Sequence, residues 1–263
     1  MIDANLLRRS LLEASARCGA PVHLGGSLGC VDILNVLYGR VIRHNPRNPG
    51  DPGRDFFVMS KGHSFLALLS VLFHHGYFSQ EDFNSFQTDG GVFIAHPVRD
   101  IGRGIESSTG SLGQGLSVGL GLAIGSSKAG GDNRVFVLMG DSECSEGSVW
   151  EAAMLAGQRG VGNLIAIIDS NGLGNDGYGP IHSASALEAQ FMALGWDVQV
   201  VDGHDNLEVE RALMGAVAEY SSPSLLVAKT VKGKGISFME GNNDWHHAQV
   251  TQKTLELALQ ELS

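Results

Sequence analysis

The sequence has 263 residues, 43% of them hydrophobic and 17% charged, and 18 Lys and Arg against 28 Asp and Glu give a formal charge of -10. Such a composition suits a globular chain with a sizeable core, and the acidic balance leaves no broad basic face for nucleic acid or an anionic membrane surface. No apolar run reaches the roughly 20 residues needed to span a bilayer, and residues 1–13 lack the basic-then-apolar order of a secretion signal. A cytoplasmic location is therefore expected.

In chain order, the N-terminal third reads as helical, with apolar residues at helical spacing over 6–17, 31–38 and 64–75. Glycine- and proline-rich loops separate these helices at 19–29, 45–53 and 89–115. From residue 135 onward the pattern alternates. Strands are expected at 135–139, 164–169, 196–201 and 225–231, and helices at 145–159, 184–194 and 207–220, with a polar glycine loop over 170–180. Strands that are apolar throughout and joined by helices imply an α/β fold, a parallel sheet flanked by helices on both faces. No internal repeat or linker interrupts the pattern, so residues 1–263 are expected to form one domain.

Three cysteines, Cys18, Cys30 and Cys144, are unevenly spaced and odd in number, which fits free thiols rather than a disulfide framework or a metal site. The 36 glycines are about twice the usual share of roughly 7%, as expected where loops approach a ligand closely.

Parallel sheets bind ligands beyond the carboxyl ends of their strands, which is where Asp141 and the run Asp169-Ser170-Asn171 fall. Asp141 and Asn171 are 30 residues apart in the sequence, each just past a strand that the intervening helix can make a parallel neighbour. A carboxylate, an amide oxygen and a backbone carbonyl are hard ligands suited to Mg²⁺ or Ca²⁺. Gly140, Gly172 and Gly174 would admit a diphosphate, and a helix beginning at Ser145 would add amide donors. Both residues are equally at home as turn and cap residues. Glu143 reads as a solvated or first-turn acid, whereas Glu146 and Glu151 lie on a helix whose other residues look buried, so they would need partners. HxxxH and HExxH spacings are absent, which argues against zinc.

The segment GDSECSEGSVWEAAMLAGQRGVGNLIAIIDSNGLGNDG, residues 140–177, resembles the thiamine diphosphate signature of transketolases, in which GDG is followed about thirty residues later by an asparagine. HLGGSLGCVDIL, RDFFVMSKGHSFLALL, AHP, STGSLGQGLSVGLGLA and KTVKGKGISFMEGNNDWHH occur in that family's order, so the resemblance covers nearly the whole chain. It implies a thiamine diphosphate-binding fold and transfer of a two-carbon ketol unit from a ketose phosphate to an aldose. It also implies a divalent cation, Mg²⁺ with Ca²⁺ or Mn²⁺ as substitutes, held by Asp141, Asn171 and the Leu173 carbonyl. His63 and His246 match histidines at the diphosphate and reaction centre. His23 and His96 match those that meet the sugar's oxygens, and protons would move through imidazoles of ordinary pKa, near 6.5. Gly110, Leu112 and Gly113 match the loop beside the thiazolium, and Gly140, Ser142 and Glu143 fall among the phosphate-binding residues. His74, His75, His182, His204 and His247 read as surface or internally satisfied side chains.

Two departures stand out: Ser142 occupies the third position of GDG, and GAPVHLGGS replaces the commoner lettering around the first histidine. Transketolases also carry a second and a third domain, for which nothing here is a candidate. The resemblance is thus to the N-terminal subunit of a split transketolase. It implies a separate C-terminal subunit, an α2β2 heterotetramer, and Glu146 and Glu151 as acids at the dimer interface. A 1-deoxyxylulose-5-phosphate synthase-like or 2-oxoacid dehydrogenase-like subunit, and a non-catalytic regulatory subunit, are the alternatives.

Overall fold

Five parallel strands carry the fold. The computed structural model describes residues 1–175, 177–178 and 183–263, and the strands run in the order β1 (Phe56–Met59), β2 (Val135–Gly140), β3 (Leu164–Ser170), β7 (Ser224–Lys229) and β6 (Asp197–Asp202). Each neighbouring pair is parallel, and Gly140 pairs with Asp169 where β2 and β3 end together. A two-stranded antiparallel pair, β4 (Leu173–Gly174) with β5 (Gly177–Tyr178), interrupts the glycine loop that follows β3. The rest of that loop's far end and His182 lie outside the described residues.

Both faces of the sheet are buried, which is why its central strands are apolar without alternation. Phe136, Leu138, Ile165 and Ile167 face a core shared with α1 (Ala4–Cys18), α3 (Val31–Val36), α4 (Phe65–His74), α9 (Asn206–Ala218) and α10 (Gln252–Glu261). Val135, Val137, Ala166 and Ile168 face the opposite core, built with α6 (Gln114–Lys128), α7 (Gly147–Arg159) and α8 (Ala184–Ala193). None of the described helices is long and apolar enough to cross a membrane.

The structure departs from the sequence-based expectations in four places. β1 is only four residues long, and so short an apolar run carries no period. In α6, four glycines depress helix propensity, but tertiary packing wins: a Cβ at Gly119 would sit 2.3 Å from Val137 Cγ2. The expected loop at 19–29 ends in a buried helix, α2 (Leu24–Gly29), whose glycines let the backbone approach Ser64 and Lys232. Finally, α7 begins at Gly147 rather than Ser145, after a 3₁₀ turn over Ser142–Ser145.

Candidate functional site at the carboxyl ends of the strands

Residues that follow β1, β2, β3 and β7 line one cavity of about 290 Å³. Its acidic side is built on Asp141, which is 3% exposed and caps the 3₁₀ turn. One carboxylate oxygen accepts from the Ser142 amide at 2.7 Å and the other from the Gly172 amide at 2.6 Å. Gly172 delivers its amide from a left-handed conformation, φ 73°, which favours glycine there. Burial and the nearby Asp169 carboxylate raise the Asp141 pKa, and the two amides oppose that shift. Asn171 and Leu173 also line the cavity, and the Asn171 amide oxygen accepts from the Leu173 amide at 3.0 Å.

Four imidazoles face this carboxylate across the cavity. The ring of His23 lies 5.2 Å from His63, 6.1 Å from His96 and 5.4 Å from His246 between centroids. His247, expected to be an ordinary surface residue, is exposed but stands only 4.4 Å from His23. Burial and the neighbouring histidines lower the His23 pKa to about 4, and burial with Lys232 lowers that of His246 to about 4. His63 is also pushed well below its ordinary value by burial and Lys61. The expectation of ordinary values is thereby corrected for these three rings, which are neutral at pH 7.

Two lysines missing from the expected site complete it. Lys61, 1% exposed, forms a buried ion pair with Asp169 beneath the cavity and donates to the Gly26 carbonyl at 3.2 Å. Burial pushes its pKa down, but the attraction of Asp169 outweighs that and holds it above the ordinary lysine value. Lys232 donates to the Leu173 carbonyl at 3.1 Å, to Asn243 Oδ1 at 3.0 Å and to His246 Nδ1 at 2.6 Å. With Nδ1 accepting, neutral His246 carries its proton on Nε2. Both lysines follow parallel strands within three residues, so the rule that singled out Asp141 reaches them once β1 is recognised.

Of the expected residues, His23, His63, His96, Gly110, Leu112, Gly140, Asp141, Ser142, Glu143, Asn171, Leu173 and His246 share the cavity wall. Gly113 stands behind it as the N-cap of α6. Glu146 and Glu151 are away from the cavity and exposed, not buried. Glu143 is not solvated as expected: it is 2% exposed, because its carboxylate accepts bonds from three converging loops.

The thiamine diphosphate binding domain of transketolase matches residues 9–262. The chain belongs to the transketolase family. A 6-deoxy-6-sulfo-D-fructose transketolase subunit from Clostridium sp. is 38% identical over 261 residues, covering 99% of this chain and 94% of its own length. One of the two chains of an apulose-4-phosphate transketolase from Phocaeicola vulgatus is 38% identical over 257 residues, covering 97% and 91%. The transketolase of Campylobacter jejuni superposes with a TM-score of 0.89 at 31% identity, covering 100% of this chain and 43% of that one. The chain therefore spans about two fifths of that solved structure.

The cavity suits thiamine diphosphate and a cation. Hard oxygen donors stand at one end, with Lys61 and Lys232 to balance phosphate charge, and a Cβ at Gly140 would meet nothing nearer than 4.0 Å. Among the described residues no group of three His, Cys, Asp or Glu side chains is spaced to hold a metal. A cation here would rest on Asp141, Asn171, the Leu173 carbonyl and ligand oxygens, which is the pattern of Mg²⁺ bound through phosphates.

Proposed function

We propose that this chain is the thiamine diphosphate-binding subunit of a two-chain transketolase, acting as a single domain in the cytoplasm and completed by a separate C-terminal subunit in an α2β2 assembly. The observation that carries this reading is the convergence of Asp141, Asn171 and four histidines on one cavity at the ends of parallel strands. The Clostridium and Phocaeicola relatives are transketolase subunits of nearly the same length. Both are named for anionic ketoses, so the substrate class is a ketose with a phosphate or sulfonate terminus.

Asp141, Asn171 and the Leu173 carbonyl hold Mg²⁺, and His63, Ser142 and Lys232 hold the diphosphate. Gly110 and Leu112, with Gly113 behind them, wall the thiazolium, while Gly140 leaves the phosphate end open. When bound, thiamine diphosphate supplies the electron sink for cleaving a bond beside a carbonyl. His23 and His96 orient the ketose oxygens, and His246 presents its Nε2–H as a donor. Negative charge brought into the cavity by ligands raises the histidine pKa values toward neutrality, where proton transfer in both directions is efficient. Glu146 and Glu151, exposed on this chain, face the second copy in the assembly.

Calorimetry on the chain with its partner subunit tests this reading. Thiamine diphosphate should bind only with Mg²⁺, and Asp141→Ala should abolish binding; unchanged binding would remove Asp141 from the site. The reconstituted enzyme should transfer a ketol unit from ketose phosphates and leave pyruvate untouched, since pyruvate decarboxylation marks the synthase-like and dehydrogenase-like alternatives.

A further inference from the structure

Glu143 is buried, yet its side chain binds none of the basic residues that contact Asp169 or His246. Its Oε1 accepts from the Ser60 hydroxyl and from the Gly113 amide at 2.9 Å, and its Oε2 accepts from the Gly140 amide at 3.0 Å. Those three donors belong to stretches far apart in the sequence: the turn after β1, the N-cap of α6 and the end of β2. Each stretch also bears on the cavity. Lys61 follows Ser60, Gly110 and Leu112 precede Gly113, and Asp141 follows Gly140.

The Gly113 amide reaches Glu143 only because this residue has φ 84° and no side chain. A Cβ there would lie 2.5 Å from Glu146 Cβ and 2.7 Å from Ser148 Oγ. Ser148 in turn donates to the Gly113 carbonyl at 3.0 Å, so the wall loop is clamped from both sides of one residue. A carboxylate is the group that suits this place, because it accepts from all three donors and needs no acceptor of its own. A glutamine of the same shape must turn an NH₂ group toward one of the N–H or O–H donors.

We infer that Glu143 is a positioning residue that sets the width of the cofactor cleft, tying the Gly110–Leu112 wall to the strand end that carries Asp141. The inference rests on the proposed thiamine diphosphate site and assigns to that site a part that does not touch the reacting atoms. A ligand that spans the cleft, from the Asp141 end to the wall, depends on the tie. A ligand confined to the Asp141 end does not.

Two ligands separate these cases in calorimetry on the chain with its partner subunit and Mg²⁺. Thiamine diphosphate spans the cleft; inorganic pyrophosphate occupies its phosphate end alone. In Glu143→Gln, thiamine diphosphate affinity should fall at least tenfold and pyrophosphate affinity less than twofold. Amide hydrogen exchange should quicken at Gly113 and Gly140 while Ile165 and Ile167 in β3 keep their protection. Should both affinities fall in step, or should neither fall while thermal stability alone drops, Glu143 is an ordinary structural residue and the inference is overturned. If the unaltered chain binds pyrophosphate but not thiamine diphosphate, the failure belongs to the functional reading instead. The exchange rates at Gly113 and Gly140 then decide whether the tie exists, and unchanged rates would refute it.

Discussion

Lys232 Nζ lies 2.6 Å from His246 Nδ1 and 3.1 Å from the carbonyl of Leu173, so one ammonium fixes a ring and steadies a backbone oxygen at the cavity wall. Replacing Lys232 with Met removes the donor that holds the His246 proton on Nε2. The imidazole ¹⁵N shifts of His246 should then report a mixture of tautomers in place of one. Loss of a charge-assisted hydrogen bond, worth about 1.5–3 kcal/mol, should weaken thiamine diphosphate binding roughly tenfold or more. A single unchanged tautomer in the variant would contradict this arrangement.

The Lys61–Asp169 pair lies at the bottom of the cavity, with side-chain exposures of 2% and 0%. Lys61→Met leaves a buried carboxylate whose remaining side-chain donor, among the described residues, is the Thr230 hydroxyl. Stranding a buried charge in this way costs about 3–5 kcal/mol, to be read in urea unfolding. The double variant Lys61→Met with Asp169→Asn should recover a large part of that loss, because no charge is left unpaired. Equal stability of the single and double variants would show that the pair is not buried in solution.

Three half-buried histidines make stability depend on pH. His23, His75 and His246 have pKa values of about 4 in the folded chain, against roughly 6.5 unfolded. Between those values the unfolded chain binds protons that the folded chain refuses, so stability present above pH 6.5 is lost as pH falls through that window. Asp141 and Glu143 act in the opposite sense, since burial raises their values and folding favours their protonated forms. The thermal midpoint should therefore drop progressively from pH 7 to pH 5, and His23→Asn should flatten the slope. A midpoint constant over that range would rule the histidines out.

Glycines within α6 divide by what they touch. A Cβ at Gly119 meets Val137 at 2.3 Å, whereas at Gly121 and Gly125 nothing lies within 4 Å. Gly119→Ala should destabilise the chain by about 1–3 kcal/mol through overpacking. Gly121→Ala and Gly125→Ala should each stabilise it by about 0.5–1 kcal/mol through helix propensity. Chemical unfolding of the three variants compares them directly; a stabilising Gly119→Ala would mean that α6 does not press on β2.

His204, expected to be a surface or satisfied side chain, ties the chain together behind the site. Its Nδ1 lies 2.7 Å from Asp32 and its Nε2 accepts from the Val231 amide at 2.8 Å, one residue before Lys232. His204→Leu strands that amide, at a cost of about 1–3 kcal/mol. The His246 signals should broaden with it, and a variant as stable as the parent would place the Val231 amide in water.

The sequence alone determined the parallel α/β plan, because β2, β3 and β7 are apolar on both faces and the helices between them keep their period. It also carried the ion-site residues, since Asp141 and Asn171 sit directly after neighbouring strands and need only local geometry to meet. Tertiary structure decided the rest. β1 is too short to show a period, and α6 becomes a helix despite its glycines only because Val137 and Ser60 accept its backbone at close range. Glu143 changes from a solvated acid to a buried acceptor only when Ser60, Gly113 and Gly140 arrive from three separate stretches. The low pKa values of the histidines likewise exist only once distant loops press the rings together, because desolvation and charge repulsion depend on neighbours in space and leave no mark on the order of residues.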